Sequence, residues 1–165
     1  MNTARTKGFT IIEVVLVLAI AGLIFLMVFI ALPTLQRNQR DTQRRDDMAR
    51  MKAQIAQYQA NNKGTVPTNT PAANCNSTTA GTIDVFIANY MEANGSTFTD
   101  PDGTDYQSAR CLISAGVPAT TGQWKYQTGY VCGPNEGTTV AASTRDFAIM
   151  IKLEGSGIAC VDSKN

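Results

Sequence analysis

A single carboxylate, Glu13, stands at the edge of an apolar run and follows Lys7-Gly8-Phe9-Thr10-Ile11-Ile12. An ionised side chain at membrane depth costs roughly 2.5–3.5 kcal/mol on insertion scales, so a carboxylate there calls for a cationic partner. Two other groups of residues could do chemistry. Asp100, Asp102 and Asp105 surround Gly103 and could offer hard carboxylate oxygens to calcium. The run lacks the distal bidentate glutamate of a calcium loop, and Asp-Pro-Asp-Gly forms turns without a metal. Cys75, Cys111, Cys132 and Cys160 all lie beyond the apolar run, and their spacings fit neither a zinc ribbon nor a redox pair. Two disulfides in an oxidising compartment fit better, with all three connectivities open. There is no histidine, and serines and cysteines without a base make no catalytic constellation. The chain reads as a structural subunit and not an enzyme, with no cofactor beyond the calcium candidate.

The element that must position Glu13 is a helix. From Val14 to Leu32, nineteen residues carry no charged or hydrogen-bonding side chain, close to the ~20 that span a bilayer. A secretory signal peptide also starts basic, here with Arg5 and Lys7, but its apolar core is usually about 7–15 residues. An uncleaved anchor with Glu13 at the interface, where the penalty is small, satisfies the same physics.

A short basic leader ending in Gly8, followed by Phe9-Thr10-Ile11-Ile12-Glu13 and a long apolar helix, resembles the class III signal of type IV pilins and type II secretion pseudopilins. The resemblance implies a leader over residues 1–8, a cut between Gly8 and Phe9 by a membrane-embedded prepilin peptidase, and N-methylation of Phe9. It implies also an assembly role for Glu13 in a helical homo-oligomer built by an assembly platform and its ATPase. The chemistry is consistent with that. Gly8, without a Cβ, lets the backbone approach a protease closely. Cleavage would create an α-amine on Phe9, mostly cationic at neutral pH given a reference pKa of roughly 7.7–8.0. In a staggered bundle this amine can meet Glu13 of a neighbour, and breaking such a buried pair typically costs about 3–5 kcal/mol.

The remaining elements follow from pattern. Gly22 and Pro33 are the helix breakers of the apolar stretch, and Pro33 predicts a bend or a melted turn nearby; Gly22 equally suits close helix packing. Gln36 to Asp47 is polar on every side and reads as a solvated face, with arginines available to aspartates of neighbours in a filament. Met48, Met51, Ile55 and Tyr58 then recur at spacings of three and four, a stripe that should dock on a globular head. A helix from Phe9 to about Asn62 would run roughly 80 Å, a length that points to a filament or a membrane stalk. The chain thus divides into a leader (1–8), a transmembrane and assembly helix (9–35), an amphipathic helix (36–62), a variable connecting loop (63–110) and a β-sheet head (111–165). Within the loop, Ile83 to Glu92 predicts a short helix. In the head, strands are expected at Cys111 to Ser114, Trp124 to Cys132, Asp146 to Leu153 and Ile158 to Val161, the last two forming a hairpin about Gly155-Ser156-Gly157. The expected fold class is α+β, a long N-terminal helix packed on a small antiparallel sheet, which is the architecture that the pilin resemblance implies.

Six basic residues within about twenty positions after the span would, by the positive-inside rule alone, reverse the topology. The resemblance and the cysteines place the leader in the cytoplasm and the head outside. Residues 64–165 hold five basic and nine acidic side chains, which disfavours DNA binding by the head. Asn76-Ser77-Thr78 and Asn94-Gly95-Ser96 match a glycosylation sequon. The expected function is a structural subunit, the major pilin of a type IV pilus for adhesion, twitching motility or cell contact. It would be held in the cytoplasmic membrane as precursor and assembled into an extracellular filament. The alternatives are a pseudopilin of a type II secretion or competence system, and a monomeric membrane-anchored surface binding module.

Overall fold

The computed structural model describes residues 8–69, 79–95, 97–104, 106, 117–155 and 157–164. Arg5, Lys7, Cys75, the 76–78 sequon, Asp105 and the expected strand at 111–114 with Cys111 lie outside the described residues. The fold class is α+β: a long N-terminal helix whose carboxyl portion packs on a small antiparallel sheet. By its contacts the chain forms two compact units, the first ending at Arg37 and the second starting at Asn38.

Helix α1 spans Ile11–Asn61 and belongs to both units. It runs unbroken through Gly22 and Pro33, so of the bend or melted turn expected near Pro33 the melted turn is absent. Proline removes one amide donor and crowds the preceding turn, but neighbouring apolar residues of high helix propensity keep the remaining ladder. The helix ends where Lys63 and Gly64 turn left-handed, with φ of 57° and 78°. The Gly64 amide then donates to the Gln59 carbonyl at 2.8 Å, satisfying a carbonyl that the helix would leave orphaned.

In the second unit, Met48, Met51 and Ile55 are fully buried and Tyr58 packs against the same core, as the stripe predicts. Helix α2, Ile83–Phe86, continues as a π turn over Ile87–Met91, so the short helix expected from Ile83 exists in two geometries. Its aromatic residues close on the stripe: Phe86 stacks on Tyr90 at 5.2 Å, and Tyr58 meets both edge-on. Arg50 holds this segment to α1 by donating from Nη2 to the Met91 carbonyl at 2.8 Å.

Strands β1 (Trp124–Thr128), β4 (Phe147–Lys152) and β5 (Ile158–Asp162) form an antiparallel sheet in the order β1-β4-β5. The register pairs Trp124 with Ile151 and Ile151 with Ala159, and Tyr126 with Ile149 and Ile149 with Val161. Because side chains alternate along a strand, these residues form one apolar face, which shares the core with α1. The expected long strand from Trp124 to Cys132 is two strands. Gly129, at φ 77°, breaks it, and β2 (Tyr130–Cys132) pairs instead with β3 (Thr139–Ala141), a strand the sequence pattern did not single out. This ribbon lies on the second face of the sheet. Thr139 Oγ1 donates to Gln127 Oε1 at 3.0 Å, and the Cys132 amide donates to Asp162 Oδ2 at 2.8 Å.

Candidate functional site

At the start of α1 the backbone amide and the hydroxyl of Thr10 both donate to Glu13 Oε2, at 2.8 and 2.9 Å. In return the Glu13 amide donates to Thr10 Oγ1 at 3.4 Å. Thr10-Ile11-Ile12-Glu13 is a capping box: a threonine N-cap and a glutamate three residues on satisfy each other's otherwise unpaired donors. Glu13 therefore has donors of its own chain besides any cation, and the signal for this in the sequence is the threonine-to-glutamate spacing ahead of an apolar run. Gly8 and Phe9, flanking the expected cut, are exposed, and a Cβ on Gly8 would meet nothing within 4 Å.

Behind this cap, every large apolar side chain from Phe9 to Leu35 is exposed, Phe9 by 90% and Phe29 by 71%. The apolar residues surround the helix instead of lining one stripe. A helix of that kind is stable only when a bilayer or other helices cover it. By length and composition α1 can cross a membrane, and this unit could anchor the chain in one.

The charged stretch after it corrects the sequence reading. Asp41 and Arg44 face inward, and Arg44 is only 1% exposed. The Arg44 guanidinium grips Asp100 with both arms, Nε to Oδ2 at 2.8 Å and Nη2 to Oδ1 at 2.7 Å, and reaches Asp41 Oδ1 at 3.0 Å. Asp41 in turn accepts from the amides of Glu154 and Gly155, each at 2.8 Å, in the turn between β4 and β5. Arg40 clamps Glu154 through Nε and Nη2 at 2.7 and 2.6 Å. Two of the arginines expected to face solvent or a neighbour, Arg40 and Arg44, are therefore engaged by the head, because two loops fold over that side of the helix, whereas Arg37 and Arg45 are exposed as expected.

The electrostatics follow from the geometry. Hydrogen bonds to Asp100 outweigh burial and hold the Arg44 guanidinium more firmly protonated than usual. Burial works to raise the Asp41 carboxyl, but the two amides and Arg44 together bring it below the ordinary aspartate range. The Arg40 hydrogen bonds hold Glu154 low in the same way. Asp47 goes the other way: burial raises its carboxyl, against one hydrogen bond from the Tyr106 hydroxyl at 3.3 Å.

Of the calcium candidate, the two described carboxylates, Asp100 and Asp102, are already engaged within the chain. Both oxygens of Asp100 are committed to Arg44, and Asp102 Oδ1 accepts from the Thr104 amide and hydroxyl at 2.8 and 2.6 Å. Among the described residues no group of three metal-ligating side chains comes together. Of the cysteines, Cys132 and Cys160 form a disulfide that ties β2 to β5. An open cleft of about 560 Å³ beside the network is lined by Arg40, Arg44, Pro101, Asp102, Thr121 and Glu154. Its charged groups pair with one another or with backbone, which suits a structural clasp better than acid-base chemistry. The chain matches no family model, no curated protein and no solved structure.

Proposed function

We propose that the chain is a structural subunit of a type IV pilus, a major pilin, cut between Gly8 and Phe9 and polymerised through its apolar helix. The observation that carries this reading is the exposed apolar surface from Phe9 to Leu35, headed by one carboxylate five residues after the expected cut. Such a surface needs a bilayer while the subunit waits and neighbouring helices once it assembles. The head supports the reading in a second way, since its buried charges Asp41, Arg44 and Asp100 pair with one another inside the chain and a disulfide ties β2 to β5. An α-amine created at Phe9 would supply the cation for Glu13 of the next subunit, so processing and assembly would be linked by one ion pair.

The capping box favours one competing reading. Glu13 already has a local role at the helix terminus, which a monomeric membrane-anchored binding module would need as much as a filament subunit does. Intact-mass and N-terminal analysis of material sheared from the cell surface separates the two. The filament reading expects a chain beginning at Phe9, with an added methyl, in the sheared fraction, and expects Glu13→Ala to abolish it. A chain that keeps its leader and stays in the membrane fraction refutes the filament reading and leaves the anchored module.

A further inference from the structure

We infer that the Asp100–Pro101 peptide bond is a latent self-cleavage site, with the Asp100 carboxyl as its nucleophile and the two-armed grip of Arg44 as the guard that keeps it silent. The inference stands on the head alone and does not rest on the filament reading. An aspartate carboxyl can close on the carbonyl of its own residue to form a five-membered ring, so covalent geometry already holds the reacting groups together. Proline makes the bond labile, because its ring nitrogen leaves as a secondary amine that takes up a proton readily.

The surroundings supply the other parts. The Asp100 carbonyl oxygen accepts from the Gly103 amide at 2.9 Å, so a donor is already aimed at the oxygen on which charge would develop. The Asp102 amide donates to Asp100 Oδ1 at 3.1 Å and folds the side chain back along its own backbone. Pro101 lines the open cleft beside Arg40 and Arg44, and also a second one of about 340 Å³ beside Asp46 and Asp47, so solvent lies on two sides of the residue. What the arrangement withholds is a free nucleophile. Arg44 holds both carboxylate oxygens, and Oδ2 lies so near Gly122 that a Cβ there would come within 2.6 Å of it. In this grip the carboxylate carries no proton for the leaving nitrogen.

Around the pair stand Arg40, Asp41 and Asp47 of α1, Asp102 and Tyr106 of the loop, and Glu154 of the β4–β5 turn. Of the two arginines only Arg44 touches Asp100. Without it, a carboxyl 3% exposed among these acids favours its neutral form in mild acid. The step then balances. One Asp100 carboxyl oxygen attacks the Asp100 carbonyl carbon, the C–N bond to Pro101 breaks, and the carboxyl proton passes to the proline nitrogen. Water opens the cyclic anhydride, restores the side chain and leaves a terminal carboxyl on Asp100. Opening of the clasp becomes irreversible in this way, since helix α1 and the sheet would no longer share one chain.

The test holds the purified full chain in detergent micelles at about pH 4.5 and quantifies, by intact mass after reduction, a fragment ending at Asp100 and one starting at Pro101. Arg44→Met, shown to be folded by Trp124 fluorescence, should cleave about tenfold faster than the native chain. It should also cleave about threefold faster than the native chain unfolded in urea, because only the folded turn keeps the Gly103 donor in place. The native chain should cleave more slowly folded than unfolded. Adding Asp100→Ala to Arg44→Met should abolish both fragments. Should Arg44→Met fail to fold, Arg44→Lys, which loses the two-armed grip, is read instead and should cleave faster than the native chain. Equal rates in folded Arg44→Met and urea-unfolded native chain would mean only the ordinary lability of an Asp-Pro bond, and would overturn the inference. So would a native chain cleaved as fast folded as unfolded, Arg44→Lys at parity with the native chain, or fragments that persist with Asp100→Ala.

Discussion

Arg44 is the cation paired with buried Asp100, and replacing it by methionine should destabilise the head by about 3–5 kcal/mol. The magnitude comes from what is left behind. Asp41 would keep its two amide donors from Glu154 and Gly155, and Glu154 would keep Arg40. Asp100, 3% exposed, would keep only the Asp102 amide at 3.1 Å and become a buried charge without a cation. Removing one partner of a buried pair is costly for that reason, far more than the net worth of the intact pair. Urea denaturation of the full chain in detergent micelles, followed by the fluorescence of Trp124, the sole tryptophan and 1% exposed, reads the effect directly. With a slope of ~2 kcal/mol per molar, the midpoint should fall by on the order of 2 M. Adding Asp100→Asn removes the stranded charge without changing its shape and should recover much of the loss. Arg44→Lys should fall between, keeping the charge but losing the two-armed grip. A midpoint shift below ~0.5 M for Arg44→Met, or no recovery in the double variant, would refute the argument that Asp100 depends on this cation.

Acid should unlock the same network. Asp41 and Glu154 are held below their ordinary values in the folded chain, so their stabilisation is present above the unfolded carboxylate range and fades as pH falls through the depressed folded values. Thermal unfolding should therefore be flat from neutral pH to about 5 and decline below about 4. Asp47 has the opposite sign: its raised folded value means ionisation works against folding as pH rises. Asp47→Asn should raise stability at pH 7 by up to ~1 kcal/mol and leave it unchanged near pH 3, as a pair of melting curves would show. Replacing Cys132 and Cys160 together by alanine opens a loop of sequence separation 28. This should cost about 3–4 kcal/mol in a denaturant titration, provided the reduced unfolded chain is unstructured.

How legible the molecule was differs by element. The apolar span, the docking stripe at Met48, Met51 and Ile55, and the β4-β5 hairpin are local patterns, in which periodicity or turn residues state which side is covered. Strand β3 was not legible, because Thr139–Ala141 is short and mostly exposed and carries no alternation strong enough to mark it. The break at Gly129 was equally silent, since a glycine inside a strand pattern indicates a departure from regularity without saying where the chain goes next.

The site divides along the same line. Composition and order alone determined that Phe9 to Leu35 must be covered by lipid or by protein, because nothing within so apolar a helix can satisfy water. They also carried the capping box, since Thr10 and Glu13 are one helical turn apart and need only the helix itself to meet. Spacing could not assign partners to the charges. Asp41 and Arg44 lie three residues apart and form one legible pair, but Asp100 is 56 positions from Arg44, and Glu154 is 114 from Arg40. Only the folding of two loops over one side of α1 brings those groups together. Tertiary structure therefore decided that Asp41 and Arg44, within an apparently solvated run, form a buried clasp with Asp100, because burial is a property of what packs above a residue and not of the residues beside it in the chain.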